Sequence, residues 1–262
     1  MAGTKPITIT IENLNEESRL TIEKFLKFEH MMKSSSPESS QLNRPPYHEL
    51  NAAPLGLCAF ALTTFIASMY LAGASVPINA SLGVVMGPAL CYGGLIQLLA
   101  GLLEFRNGNN LLALIFCSYG GFWLSFAALH ILAFNFLGDY HDANALNNAL
   151  GVFFLAWTIY TTLMLISVLR TNFVTISLFV FLVICLSLLT ASKFLQSHYN
   201  LQRAAGAFGI LTASIAWYSA IAHLLSKKNW FFQLPVFEVS RLRRQINNDI
   251  ANEIANKHST NE

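Results

Sequence analysis

The chain has 262 residues, of which 54% are hydrophobic and only 11% charged, far below the roughly 25% charged of an average soluble domain. A formal net charge of +2, with no basic stripe interleaved with exposed aromatics, excludes a nucleic-acid partner. Lys and Arg crowd residues 1–50 and 226–262 and leave the apolar middle almost bare, which excludes an ordinary soluble fold and makes the lipid bilayer the chain's first partner.

In chain order, residues 1–50 read as a flexible polar tail. They carry Glu12, Glu16, Glu17, Glu23 and Glu29 and lack an apolar leader region. The first membrane helix then serves as the insertion signal. Within this tail, residues 18–30 form a weakly amphipathic stretch. The Ser-rich run Ser34 to Ser40 reads either as a plain solvated segment or as a phosphorylation site.

A membrane-crossing helix needs about 20 predominantly apolar residues. Residues 51–235 contain six such stretches: 54–73, 82–103, 111–134, 148–169, 173–192 and 205–225. None of these windows holds an Asp, Glu, Lys or Arg. Soluble helices keep one polar face, so the expected fold is an all-α membrane protein with six transmembrane helices. Placing both termini in the cytosol puts fourteen of the sixteen Lys and Arg residues on the cytosolic side and leaves only Lys193 and Arg203 outside. The outer loops 74–81, 135–147 and 193–204 are too short for an extracellular domain. Asn79-Ala80-Ser81 is a glycosylation sequon that lies almost at the lipid surface, where use is not expected. Residues 236–262 form a second cytosolic tail, with a candidate polar helix from Glu238.

Cys58, Cys91, Cys117 and Cys185 all fall in apolar runs without CxxC spacing, which speaks against disulfides and against any metal site. No Ser/His/Asp set, HExxH, GxGxxG or Walker loop is present, so no catalytic residue, enzyme activity or cofactor is expected. Without an ATP-binding motif, transport would be passive or coupled to an ion gradient, for which the proton is the natural candidate.

The second span is the most informative. Gly93, Gln97 and Gly101 recur at four-residue spacing on one drifting helix face, a pattern of close helix packing. Gln97 and Glu104 share a face as well, with Glu104 at the cytosolic end where a carboxylate reaches water; both are candidates to line a path. In the third span Tyr119 sits too deep for an interfacial belt position, which leaves a packed core or a pore lining. His130 and His223 lie near helix ends and read as interfacial residues or proton relays.

At Asn51-Ala52-Ala53-Pro54-Leu55-Gly56-Leu57 the sequence resembles the signature that opens the first helix in the acetate uptake transporter family, also called the Gpr1/Fun34/YaaH family. The resemblance runs on through Tyr92-Gly93-Gly94, Gln97, Gly101 to Glu104, Ser118 to Leu124, Ala204-Ala205-Gly206 and Ala216-Trp217-Tyr218, and covers roughly residues 51–235. It implies a plasma-membrane protein of fungal type, assembled as a homohexamer with one pathway per protomer. Its implied cargo is acetate and related short monocarboxylates, moved in several cases with a proton. Acetate sensing and ammonium or ammonia export are alternatives the resemblance also implies.

The family's pathway constriction carries over to Phe60, Tyr119 and Leu178, with Leu182 as the alternative to Leu178. Helix rise places these side chains in one layer, an apolar gate that would exclude hydrated ions. Ala52 departs from the family pattern, which has Pro there, yet Asn51 can still cap the helix and Pro54 can still occupy its first turn. Tyr119 is the first candidate to hydrogen-bond a carboxyl group in passing, and Gln97 the second.

Overall fold

The computed structural model describes residues 16–34, residues 51–225 apart from 79, 132 and 197, and residues 234–236. The expectations for the serines beyond Ser34, for Asn79 and for the tail from Glu238 lie outside these residues. The chain divides into two units, 1–49 and 50–262. In the first, helix α1 (Glu16–Ser34) contains the weakly amphipathic stretch and exposes Leu20, Phe25, Leu26, Phe28 and Met31.

Among the described residues, the second unit holds six helices long and apolar enough to cross a membrane: α2 (Ala53–Ala72), α3 (Gly83–Arg106), α4 (Asn110–His130), α5 (Ala143–Val168), α6 (Phe173–Phe194) and α7 (Tyr199–Leu225). The starts of α4, α5 and α6 are set by side chains that satisfy the first free backbone N–H groups. Asn109 accepts from Leu112 N at the start of α4, Asp142 from Asn144 N and Ala145 N at α5, and Asn172 from Thr175 N at α6. Gly73 ends α2 with a left-handed φ of 68° and returns its N–H to Met69 O and Tyr70 O.

These caps move several boundaries away from the hydropathy windows. Asp142 starts α5 at Ala143 rather than 148, α7 starts at Tyr199 rather than 205, and α4 stops at His130 short of 134. Consequently Lys193 and Arg203 belong to helices α6 and α7 rather than to a loop. Hydropathy marks how far a helix lies in hydrocarbon, whereas hydrogen bonding decides where it ends.

The second span also departs from a regular α-helix. After Pro88, which lacks an N–H and crowds the preceding turn, Cys91–Ile96 forms a π-helical turn before α-geometry resumes at Gln97. Such turns are rare and concentrate at functional sites.

Around the bundle the helices follow the order α4, α3, α2, α7, α6, α5, each packed on the next. Small residues let the backbones of one flank approach closely. A Cβ added at Gly101 would lie 2.5 Å from Cys117 Sγ, one at Gly93 would lie 2.6 Å from Thr63 Oγ1, and one at Gly206 would collide with the Ala72 backbone. Between α4 and α5, aromatic rings close the circle instead. Phe122 meets Trp157 at 5.1 Å and Phe153 at 6.0 Å, Tyr119 meets Trp157 at 6.2 Å, and Phe126 meets Phe154 at 6.2 Å between ring centroids. Gly206→Val should therefore destabilise the bundle by about 1–3 kcal/mol, the usual cost of overpacking, and lower its melting temperature in detergent. Gly87→Ala, at a glycine with open space around it, should leave that temperature unchanged.

Candidate functional site

Three cavities follow one another through the interior of the ring. The first opens at the end of the bundle where α2 begins, has a volume of about 210 Å³, and is lined by Phe60, Gln97, Asn109, Tyr119, Leu178 and His223 among others. The second is a chamber of about 60 Å³, whose lining shares Phe60, Tyr119 and Leu182 with the first. The third, of about 320 Å³, opens at the opposite end near Tyr70, His130, Lys193 and Tyr199 and shares Ala67, Leu71, Phe122, Trp123 and Leu189 with the chamber. Two side-chain layers thus separate three spaces: a vestibule at the end where α2 begins, called inner only for its place in the chain's order, a middle chamber, and a vestibule at the opposite end, called outer.

Phe60 and Tyr119 meet edge to face, their ring centroids 5.7 Å apart with planes inclined by 65°. Tyr119 is buried and touches Tyr160 and Phe179 as well, at 5.9 and 6.2 Å. Its hydroxyl donates to Thr161 Oγ1 at 2.9 Å, and Thr161 in turn donates to Trp157 O at 2.7 Å. The tyrosine proton is therefore committed within the protein, leaving its oxygen lone pairs as acceptors. Leu178 lines the inner vestibule alone, whereas Leu182, one turn deeper on α6, lines both the vestibule and the chamber beside Phe60 and Tyr119.

Gln97 is fully buried on the wall of the inner vestibule, and neither its amide nitrogen nor its oxygen has a hydrogen-bond partner among the described residues. Gly93, one turn before it, is packed on Thr63 of α2, and Gly101, one turn after, on Cys117 of α4. The drifting face read from the sequence thus passes from one neighbouring helix to the other, with Gln97 between them.

The signature residues act as a clasp. Glu104 is 3% exposed and so does not reach water at the helix end. Its Oε1 accepts from Ala52 N at 3.0 Å and its Oε2 from Asn109 Nδ2 at 3.0 Å. One carboxylate on α3 thereby caps α2 and holds the residue that caps α4. Asn51 makes no cap to α2; its side chain donates to His223 O on α7 at 3.4 Å. Pro54 stands in the first turn of α2, and Gly56 leaves the space that the Phe116 ring fills, since a Cβ there would lie 2.6 Å from it. His130 and His223 each place Nδ1 against the carbonyl one turn back, Phe126 O at 2.9 Å and Ser219 O at 2.8 Å, and they line the outer and inner vestibules respectively.

The sequence reading did not single out Thr64, Trp123 or Phe179, and it named Lys193 only as a residue of an outer loop. A signal existed for two of them, because Thr64 and Trp123 follow Phe60 and Tyr119 by one helical turn and so share their faces. Lys193 went unnoticed as a wall residue because it was placed in a loop. Removing the clasp carboxylate as Glu104→Ala strands the donors of Ala52 and Asn109, at a cost of about 1–3 kcal/mol. Ala52→Pro should cost less on its own and almost nothing further in the Glu104→Ala background, a coupling measurable by denaturation of the double-mutant set.

The sequence profile of the GPR1/FUN34/yaaH family matches residues 35–241. The chain is 36% identical over 228 residues to ammonia transport outward protein 2 of Saccharomyces cerevisiae, covering 85% of this chain and 79% of that one. It is 39% identical over 196 residues to acetate permease A of Emericella nidulans, covering 71% of this chain and 65% of that one. Its fold is similar to the solved structure of the bacterial acetate channel SatP, with a TM-score of 0.63 and 30% identity, covering 71% of this chain and 98% of that one.

Proposed function

The chain belongs to the GPR1/FUN34/yaaH family, and from that premise we propose that it is a multi-pass transporter or channel for acetate and related short monocarboxylates, moved together with a proton. The observation that carries this reading is the run of three cavities through the bundle, interrupted by two side-chain layers. Among the described residues lining the inner vestibule and the chamber there is no Asp, Glu, Lys or Arg. An anion in the chamber would meet no countercharge, and an unpaired charge at membrane depth costs several kcal/mol. Travel with a proton, or as the neutral acid, removes most of that cost.

In this reading Phe60, Tyr119 and the α6 leucines form the gate, Leu182 at its narrow level and Leu178 at its mouth. Tyr119 acts as a steric element braced by Thr161, and Gln97, whose donors and acceptor are all unused, takes the carboxyl group in the inner vestibule. Glu104, Asn51, Pro54 and Gly56 hold the vestibule walls rather than the cargo. The termini lie in the cytosol, as the excess of Lys and Arg in both tails supports, and the protein resides in the plasma membrane as a homohexamer. Ammonium is the weaker cargo because it offers only donors, while the unused amide N–H groups of Gln97 on the path need an acceptor, which a carboxyl group supplies. A purely sensory role would make no use of a path that runs the length of the bundle.

Uptake of labelled acetate into proteoliposomes should rise several-fold when an inward proton gradient is imposed, and Tyr119→Phe should change it little. Phe60→Ala and Tyr119→Ala should both admit larger monocarboxylates. Acetate flux indifferent to the gradient and to uncouplers would end the proton-linked reading, and acetate binding without flux would favour the sensor.

A further inference from the structure

The middle chamber contains two polar groups that nothing so far explains. Trp123 on α4 is 4% exposed and Thr64 on α2 is 6% exposed, and both line the chamber. Neither Trp123 Nε1 nor Thr64 Oγ1 has a hydrogen-bond partner among the described residues. Leaving a buried donor unpaired costs about 1–3 kcal/mol. The usual remedy for a helical hydroxyl is the carbonyl one turn back, and Thr158, Thr161, Thr162, Thr212 and Ser214 all use it. Thr64 does not.

We propose that Thr64 and Trp123 form a carboxyl-binding site in the middle chamber, one helical turn beyond the Phe60/Tyr119 layer, that receives one short monocarboxylic acid or its carboxylate between the two constrictions. The inference rests on the transport reading above and names the groups that hold the cargo at mid-path. The pairing fits the chemistry of a carboxyl group. An indole N–H is a donor only, so its partner must be an acceptor such as a carbonyl oxygen, whereas a hydroxyl can donate or accept. With the neutral acid, Trp123 donates to the carbonyl oxygen and Thr64 accepts from the acid O–H. With the carboxylate, both donate. Water can satisfy the same groups between passages, but ammonium cannot accept from the indole.

The size and the remaining walls agree. At roughly 15 Å³ for each water-sized sphere, 60 Å³ holds about four, enough for a methyl group, a carboxyl carbon and two oxygens. Leu71, Cys185, Leu186 and Leu189 supply an apolar surface for the methyl end. Phe60, Tyr119 and Leu182 close one side, and Phe122 and Leu189 stand at the other. A chamber of this volume selects for length: the two-carbon acid fits, and each added carbon must displace a wall.

The test uses the full chain, purified and reconstituted, with acetate as the probe. Thr64→Val keeps the shape and removes the hydroxyl; Trp123→Phe keeps an aromatic ring and removes the N–H. Each should weaken acetate binding by calorimetry, and raise KM for acetate uptake, about tenfold, the worth of one hydrogen bond to a ligand. Thr64→Ser, which restores the hydroxyl, should stay within about twofold of the parent protein, an outcome a packing role for the threonine methyl would not give. Should Trp123→Phe fail to fold, the indole N–H resonance of Trp123 in the parent protein should shift on titration with acetate and not with equal chloride. If the parent protein transports acetate while Thr64→Val retains its binding and its KM, or the resonance stays fixed, this site is refuted and the transport reading stands. If the parent protein neither binds nor transports acetate, both fall.

Discussion

Hydrocarbon offers no hydrogen-bond partner, so every backbone and side-chain polar group in the spans must find one inside the bundle. That constraint explains why the helix starts carry Asn109, Asp142 and Asn172 as caps, and why the start of α2, which has no cap of its own, is served by a carboxylate from another helix. Glu104 is the most consequential case. A buried carboxylate with two donors aimed at it fixes the relative positions of α2, α3 and α4, the three helices that bear Phe60, Gln97 and Tyr119.

The same constraint makes the unpaired groups informative. Gln97, Thr64 and Trp123 are buried, polar and without partners among the described residues, and all three line the run of cavities. In a bundle where Thr158, Thr161, Thr162, Thr212 and Ser214 pair their hydroxyls with carbonyls one turn back, such groups on a cavity wall are places where something other than the protein can complete the hydrogen bonding. They succeed one another along the path, from Gln97 in the inner vestibule to Thr64 and Trp123 beyond the gate.

Two kinds of helix contact divide the labour. On the flank from α4 through α3 and α2 to α7, glycines let backbones touch, which gives a rigid wall with little side chain to spare. Between α4 and α5 the contact is made by rings, and bulky rings reach further than they fill. Phe122 and Trp157 of those contacts line the middle chamber, and Phe122, Phe126 and Phe154 line the outer vestibule. The π-turn at Cys91–Ile96 belongs to the rigid wall, where Gly93 and Gly94 pack tightly, and it resets the helix phase just before Gln97.

The sequence by itself determined the solvent, the number of spans and the small-residue seam, because apolar length and glycine spacing are local properties that do not depend on which helix lies next to which. It also singled out Tyr119 from its depth and Gln97 from its isolation in an apolar run, whereas Phe60 came only from the resemblance to a known family. It misjudged Glu104, since exposure at a helix end looks the same from sequence whether water or the Ala52 N–H waits there. It misplaced Lys193 for a related reason: hydropathy follows the lipid, while the helix follows its hydrogen bonds to Phe194. Only the tertiary structure decided that Leu182 rather than Leu178 stands where vestibule and chamber meet, that the Tyr119 proton is already given to Thr161, and that Thr64 and Trp123 are left unpaired. Each of these depends on the register between helices far apart in the chain, and register is set by packing across the bundle rather than by any local stretch of residues.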